Sequence, residues 1–148
     1  MDVKPKLPEF NEEVAQRYLN PPAPLTGLPA FLGIRFVHVE PGLIRAEVPV
    51  APNLLTRFGN MHGGVVAAIC DHVLGSVCYP HMRPGQWAAT TEFKLNLVAP
   101  VSKGTITAEA RIINMTRTTA VVRMDLVNED RLCCAAQGTV LIMEPRPK

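Results

Sequence analysis

The chain has 148 residues, 47% of them hydrophobic and 19% charged, which supplies one packed domain with a real core and leaves little for a second. Its formal charge of +2, with Lys and Arg scattered along the sequence, argues against nucleic acid as a partner while leaving cations for a small polyanionic ligand. No uninterrupted apolar run approaches the ~20 residues of a membrane span. Asp2, Lys4, Lys6, Glu9, Glu12 and Glu13 occupy the stretch where a secretory signal would carry its apolar segment, so a cytoplasmic protein with no membrane partner is expected.

Residues 8–19 carry a weak helical pattern (Phe10, Val14, Tyr18) that runs into Asn20-Pro21-Pro22-Ala23-Pro24, where proline stops a helix and leaves an extended linker. Residues 1–30 are therefore expected to form a helix and Pro-rich arm, and residues 31–148 the main domain. From Phe31 to Val50 the period changes to two: Ile34, Phe36 and Val39 precede Glu40-Pro41-Gly42, and Ile44, Ala46, Val48 and Val50 alternate with Arg45, Glu47 and Pro49. That pattern predicts a β-hairpin. A loop rich in turn residues leads to a helix over residues 62–79, closed by Pro80. The remainder reads as strands over residues 88–98, 105–112, 121–127 and 132–143, the first two alternating, with Asn128-Glu129-Asp130 as a hairpin turn. Short turns imply antiparallel neighbours. The expected fold class is α+β, a curved antiparallel sheet of five to six strands wrapped around one central helix.

The central helix has almost no polar face: Val65, Val66, Ala67, Ala68, Ile69, Cys70, Val73, Leu74, Val77 and Cys78. Such a helix is covered on every side, one sheet covers only one side, and a second copy of the chain is the economical cover. Gly75 in the helix interior costs about 1 kcal/mol relative to Ala, which points to a close backbone approach there. The four cysteines (Cys70, Cys78, Cys133, Cys134) form no CxxC and have no His at a ligand interval. Buried reduced thiols are expected, with no metal.

Asn60-Met61-His62-Gly63-Gly64, followed eight residues after Gly63 by Asp71, is the candidate site. Gly63 and Gly64 admit two readings. They permit a tight loop-to-helix turn or close packing, or they expose first-turn N–H groups at the positive end of the helix dipole, able to hold a developing oxyanion. His62 is either a helix cap or a contact to substrate. Asp71, among apolar neighbours, either marks a solvated strip with His72 or lines a wet cleft. Gly63 and Asp71 stand about 12 Å apart along a helix axis, too far to act on one carbonyl. They act separately, or they meet from two subunits at a dimer interface.

His62-Gly63-Gly64 with Asp71 nine residues after the histidine, Gly59 three residues before it, and a following strand ending in Ala99-Pro100 resemble the hotdog-fold acyl-CoA thioesterases of the PaaI type, over residues 31–143. The resemblance implies hydrolysis of acyl-CoA thioesters, aromatic or medium-chain, with Asp71 as nucleophile or general base. It implies that the Gly63 N–H polarises the thioester carbonyl from the opposing subunit, that His62 sits beside the reacting group, and that Thr90, or Thr91 next to it, orients the carboxylate. Gly64 and Asn60 fall with the substrate-binding residues. The family pattern often places Asn six residues before the histidine; this chain has Thr56, whose hydroxyl can still donate.

A thioester has a good leaving group, so a carboxylate and a preorganised N–H suffice without a metal, cofactor or triad, and no Gly-x-Ser-x-Gly elbow is present. CoA is then part of the substrate, and Arg117, flanked by Thr116 and Thr118, is the preferred phosphate contact over Arg57, Lys103 and Arg123. The expected assembly is a homodimer, arranged as a dimer of dimers. The alternatives are a hotdog enoyl-thioester hydratase and a non-catalytic dimer that binds acyl-CoA or acyl carrier protein.

Overall fold

The computed structural model describes residues 5–145. Six strands, β1 (Arg35–Glu40), β2 (Leu43–Pro49), β3 (Trp87–Leu97), β4 (Thr105–Met115), β5 (Thr119–Asn128) and β6 (Arg131–Met143), form one antiparallel sheet in the order β1-β2-β4-β5-β6-β3. Alternation makes one face of it apolar. Ile106, Ala108, Ala110 and Ile112 of β4, Ala120, Val122, Met124 and Leu126 of β5, and Cys134, Ala136, Val140 and Ile142 of β6 are all buried. The two-residue turn between β5 and β6 has Glu129 and Asp130 at positive φ, 48° and 63°, as a tight hairpin matching the strand twist requires.

Across this face lies α3 (Gly63–Ser76), which touches β2 to β6. Val66, Ile69, Cys70, Val73 and Leu74 point into the core. Gly138 of β6 seats the helix: a Cβ there would come within 2.6 Å of the Glu92 carbonyl and 3.0 Å of Leu74 Cδ1. The helix is shorter than the expected 62–79. After Ser76 the chain tightens, with Cys78 N–H donating to the Gly75 carbonyl at 3.3 Å, into a 3-10 turn at Tyr79–His81. The helical stretch Gly63–His81 has the length and mean hydropathy (1.2) of a membrane span, a property hidden from a search for unbroken apolar runs by Asp71 and His72. Half of it is buried inside the domain.

Short turns join β1 to β2, β4 to β5 and β5 to β6 as expected, but β3 and β4 are consecutive without being neighbours. The loop over residues 98–104 carries the chain from the β3 edge past β6 and β5. That is three strand spacings, about 14 Å, within reach of seven residues.

The N-terminal segment packs on this body. Asn11 caps α1 (Glu12–Leu19), its Oδ1 accepting from Val14 N–H at 3.1 Å, which starts the helix four residues later than the pattern suggested. Asn11 N–H donates to the Pro80 carbonyl at 2.7 Å. His81, 6% exposed, accepts from Gly42 N–H on Nε2 at 3.0 Å and faces the Pro8 carbonyl with Nδ1 at 2.9 Å, so the neutral ring carries its proton on Nδ1 and ties the arm to the β1–β2 turn. Tyr18 stands edge-on to Phe36 of β1, centroids 4.7 Å apart. A short helix not foreseen in the Pro-rich linker, α2 (Gly27–Leu32), ends at Gly33 in the left-handed region (φ 69°).

Candidate active site

The loop before α3 is shaped by Thr56. Its N–H donates to the Asn60 carbonyl at 2.7 Å, its carbonyl accepts from Gly59 N–H at 2.9 Å, and its hydroxyl accepts from Phe58 N–H at 3.2 Å. His62 then caps α3, Nδ1 accepting from Gly64 N–H at 2.9 Å. That bond puts the proton of the neutral ring on Nε2 and occupies the Gly64 N–H. The Gly63 N–H makes none of the described hydrogen bonds, which leaves it as the free donor of the turn.

The two glycines have separate steric reasons. A Cβ on Gly63 would lie 2.9 Å from Leu97 Cδ1 of β3, and one on Gly64 would lie 3.1 Å from His62 Nδ1. At Gly63 a close contact with Leu97 and an unpartnered first-turn N–H therefore coexist. Gly63 opens onto a cleft of about 240 Å³ that it shares with Asn60, Met61, Val66, Leu97 and Pro100.

Two turns along α3 the surroundings are open. Asp71 is exposed and makes none of the described hydrogen bonds or ion pairs; it is the solvated strip and the cleft wall at once. It lines a cavity of about 700 Å³ together with His72, Gly75 and Ser76 of α3 and Thr90 of β3. Among the described residues of its own chain, outside the helix backbone, a Cβ on Gly75 would meet only Thr90 Oγ1, at 3.9 Å. The missing side chain keeps the cavity open beside Thr90. His72 lines the same space, its ring 5.9 Å from that of Phe36. Burial pulls its pKa down while Asp71 pushes it up, and burial prevails.

Thr90 and Asp71 thus come together, and so do Asn60 and Gly63, but the two pairs lie in different clefts at opposite ends of α3. Thr91 is not in the cavity; it sits at a bulge and donates to the Thr139 carbonyl at 3.1 Å. Arg117, in the β4–β5 turn, borders a third cleft with Lys6, Leu7 and Met115, away from Asp71. Arg57 stacks on the exposed Phe58 ring at 4.7 Å, and Arg123 faces Asp125 at 3.6 Å. The four cysteines are buried thiols, with Cys70 and Cys134 Sγ atoms 4.0 Å apart. Among the described residues no group of three His, Cys, Asp or Glu could hold a metal ion.

Sequence reasoning missed the residues that complete the Asp71 cavity from outside the helix: Tyr18, Arg17 and Leu25 from the arm, Arg35 and Phe36 from β1. The i, i+4, i+8 spacing of Phe10, Val14 and Tyr18 was the available signal, since an amphipathic helix needs a surface to cover.

Residues 58–135 match the family model described as the Thioesterase superfamily. A Klebsiella pneumoniae protein named proofreading thioesterase EntH is 33% identical over 116 residues, 76% of this chain and 84% of that protein. The 1,4-dihydroxy-2-naphthoyl-CoA hydrolase of Listeria monocytogenes is 26% identical over 121 residues, covering 81% and 98%. A crystal structure of a Haemophilus influenzae thioesterase superposes with a TM-score of 0.77 at 26% identity over 90% of each chain. Six antiparallel strands around a central helix, with these matches across them, identify the chain as a hotdog-fold thioesterase belonging to the thioesterase superfamily.

Proposed function

We propose that the protein hydrolyses acyl-CoA thioesters, with aromatic or medium-chain acyl groups, at a site split between two subunits. The observation that carries this reading is the separation of Asp71 and Thr90 from Gly63 and Asn60 into two clefts on one helix. Gly64, Ala67, Ala68 and Asp71 form a side of α3 that its own sheet leaves exposed or half-exposed, and β3 is an outer strand of the sheet. Two copies of α3 packed antiparallel about a two-fold axis close that side. The midpoint between positions 63 and 71 is Ala67, half-buried, so an axis passing there sets the partner subunit's Gly63 level with Asp71. A relative named as a naphthoyl-CoA hydrolase supports both CoA as the leaving thiol and a bulky acyl group.

In the assembled site the partner subunit's Gly63 N–H donates to the thioester oxygen as charge develops on it. Acting as base, Asp71 takes a proton from a water whose oxygen bonds to the carbonyl carbon; the C–S bond breaks and the thiolate leaves to be protonated. Acting as nucleophile, its carboxylate bonds to the same carbon and expels the CoA thiolate, and water then cleaves the resulting mixed anhydride, releasing the acyl acid and restoring Asp71. Thr90 orients the carboxylate, and His62 presents Nε2–H beside the carbonyl. Such dimers pair further into tetramers. Free-thiol release from acetyl-, octanoyl-, palmitoyl- and phenylacetyl-CoA, by wild type and Asp71→Ala, tests the reading. The expected loss is about 10²–10⁴-fold in kcat with an unchanged melting temperature, because Asp71 makes none of the described hydrogen bonds or ion pairs within its chain. Equal rates in the two proteins would end it.

A further inference from the structure

Hydrolysis as proposed uses nothing from the N-terminal arm, yet the arm contributes Val14, Arg17, Tyr18, Leu19, Pro21 and Leu25 to the lining of the Asp71 cavity. All six precede the stretch matched by the family model, residues 58–135. The arm is fixed in place by the bonds from Asn11 to Pro80 and from His81 to Pro8, and by the Tyr18–Phe36 edge contact. Val14, Arg17 and Tyr18 recur at helical spacing on one face of α1, and the chain after α1 continues across the cavity through Pro21 to Leu25. Ile34, Phe36 of β1 and Ala88 of β3 supply further apolar lining, with Asp71 and Thr90 at the chemical end.

The character of this lining decides which part of an acyl-thioester it receives. Val14, Leu19, Pro21, Leu25, Ile34 and Phe36 are apolar, and each of the two cations already faces a carboxylate of its own chain: Arg17 bonds Glu13 at 2.6 Å, and Arg35 pairs with Glu47. A phosphate-bearing nucleotide gains little there, whereas a hydrocarbon chain sheds water along the whole wall. Tyr18 closes the space, its hydroxyl beside that of Ser76 and pushed up to about 12 by burial, so it stays a neutral phenol. We infer that the arm is the selectivity wall of the acyl site. An acyl group of more than a few carbons packs against Val14, Tyr18 and Leu25, and the acyl preference of this chain resides in the arm. The inference rests on the acyl-thioester reading of Asp71.

The test is kcat/KM for straight-chain acyl-CoAs from acetyl to lauroyl, measured for wild type, Leu25→Trp, Tyr18→Ala and the control Leu28→Trp. Leu25 is 41% exposed and Leu28 56%, so both tryptophans are tolerated by the fold, and only Leu25 lines the cavity. For wild type, kcat/KM rises about fourfold per methylene until the cavity fills. Leu25→Trp lowers the longer substrates about tenfold or more while acetyl-CoA stays within about twofold. Tyr18→Ala shifts the optimum to longer chains, and Leu28→Trp matches wild type. Should Tyr18→Ala fail to fold, Leu25→Trp decides alone. Turnover by wild type with an unchanged or uniformly scaled profile in Leu25→Trp overturns the arm assignment and leaves the catalytic reading standing. Absence of thiol release by wild type from every acyl-CoA overturns both.

Discussion

The two ends of α3 use glycine for opposite purposes. At the N-terminal end Gly63 and Gly64 stand where neighbours crowd in, Leu97 on one and the His62 ring on the other, at 2.9 and 3.1 Å from a would-be Cβ. Toward the C-terminal end Gly75 faces open space, with only Thr90 Oγ1 at 3.9 Å. In the first case the absent side chain lets atoms meet; in the second it keeps a volume empty. The same residue in the same helix therefore predicts opposite outcomes on substitution.

Gly63→Ala is the sharpest way to break the comparison. Its methyl must displace Leu97, which is 56% exposed and free to swing, so folding survives while the first-turn N–H is moved. The expected outcome is a fall of about 10²-fold in kcat with a melting temperature near wild type; full activity would remove Gly63 from the site. His62→Ala comes next. Losing the bond to Gly64 N–H removes the helix cap, and chemical denaturation should show a loss of about 1 kcal/mol.

Gly75→Ala should do the reverse. An alanine there fits the cavity wall, and helix propensity raises stability by up to about 1 kcal/mol, read as a higher denaturation midpoint. A destabilised Gly75→Ala would mean that a second backbone does press on this position.

The smallest effect concerns the arm, through His81. Burial lowers its pKa, partly offset by its bonds to the arm, and protonating Nε2 would expel the Gly42 N–H it accepts. With the folded pKa below the unfolded value of about 6.5, its contribution is complete above that value and is lost as pH falls through it toward the folded pKa. Melting temperatures compared between pH 7.5 and 5.5 should drop more in wild type than in His81→Gln.

Much of the fold was legible because it is local. Alternation marked β2, β3 and β4, and Asn128-Glu129-Asp130 marked a turn whose φ values bear it out. The pairing of β3 with β6 was not, since a seven-residue loop is compatible with several destinations, and α2 was hidden by Gly27 and Pro29 in a six-residue helix. Within the site, the grouping of Asp71 with Thr90 followed from the family pattern. The role of Gly75 and the nearness of Tyr18 depend on which surfaces meet in space, and spacing along a chain carries no record of that.

The distance along α3 from Gly63 to Asp71 has a genetic consequence. If each reaction centre borrows a donor from one chain and a carboxylate from the other, two defective alleles need not be defective together. A mixed dimer of Asp71→Ala and Gly63→Ala chains gathers both lesions into one centre and leaves the other intact. Chains mixed at random in equal amounts would then recover about a quarter of wild-type turnover, from two parents that each have almost none.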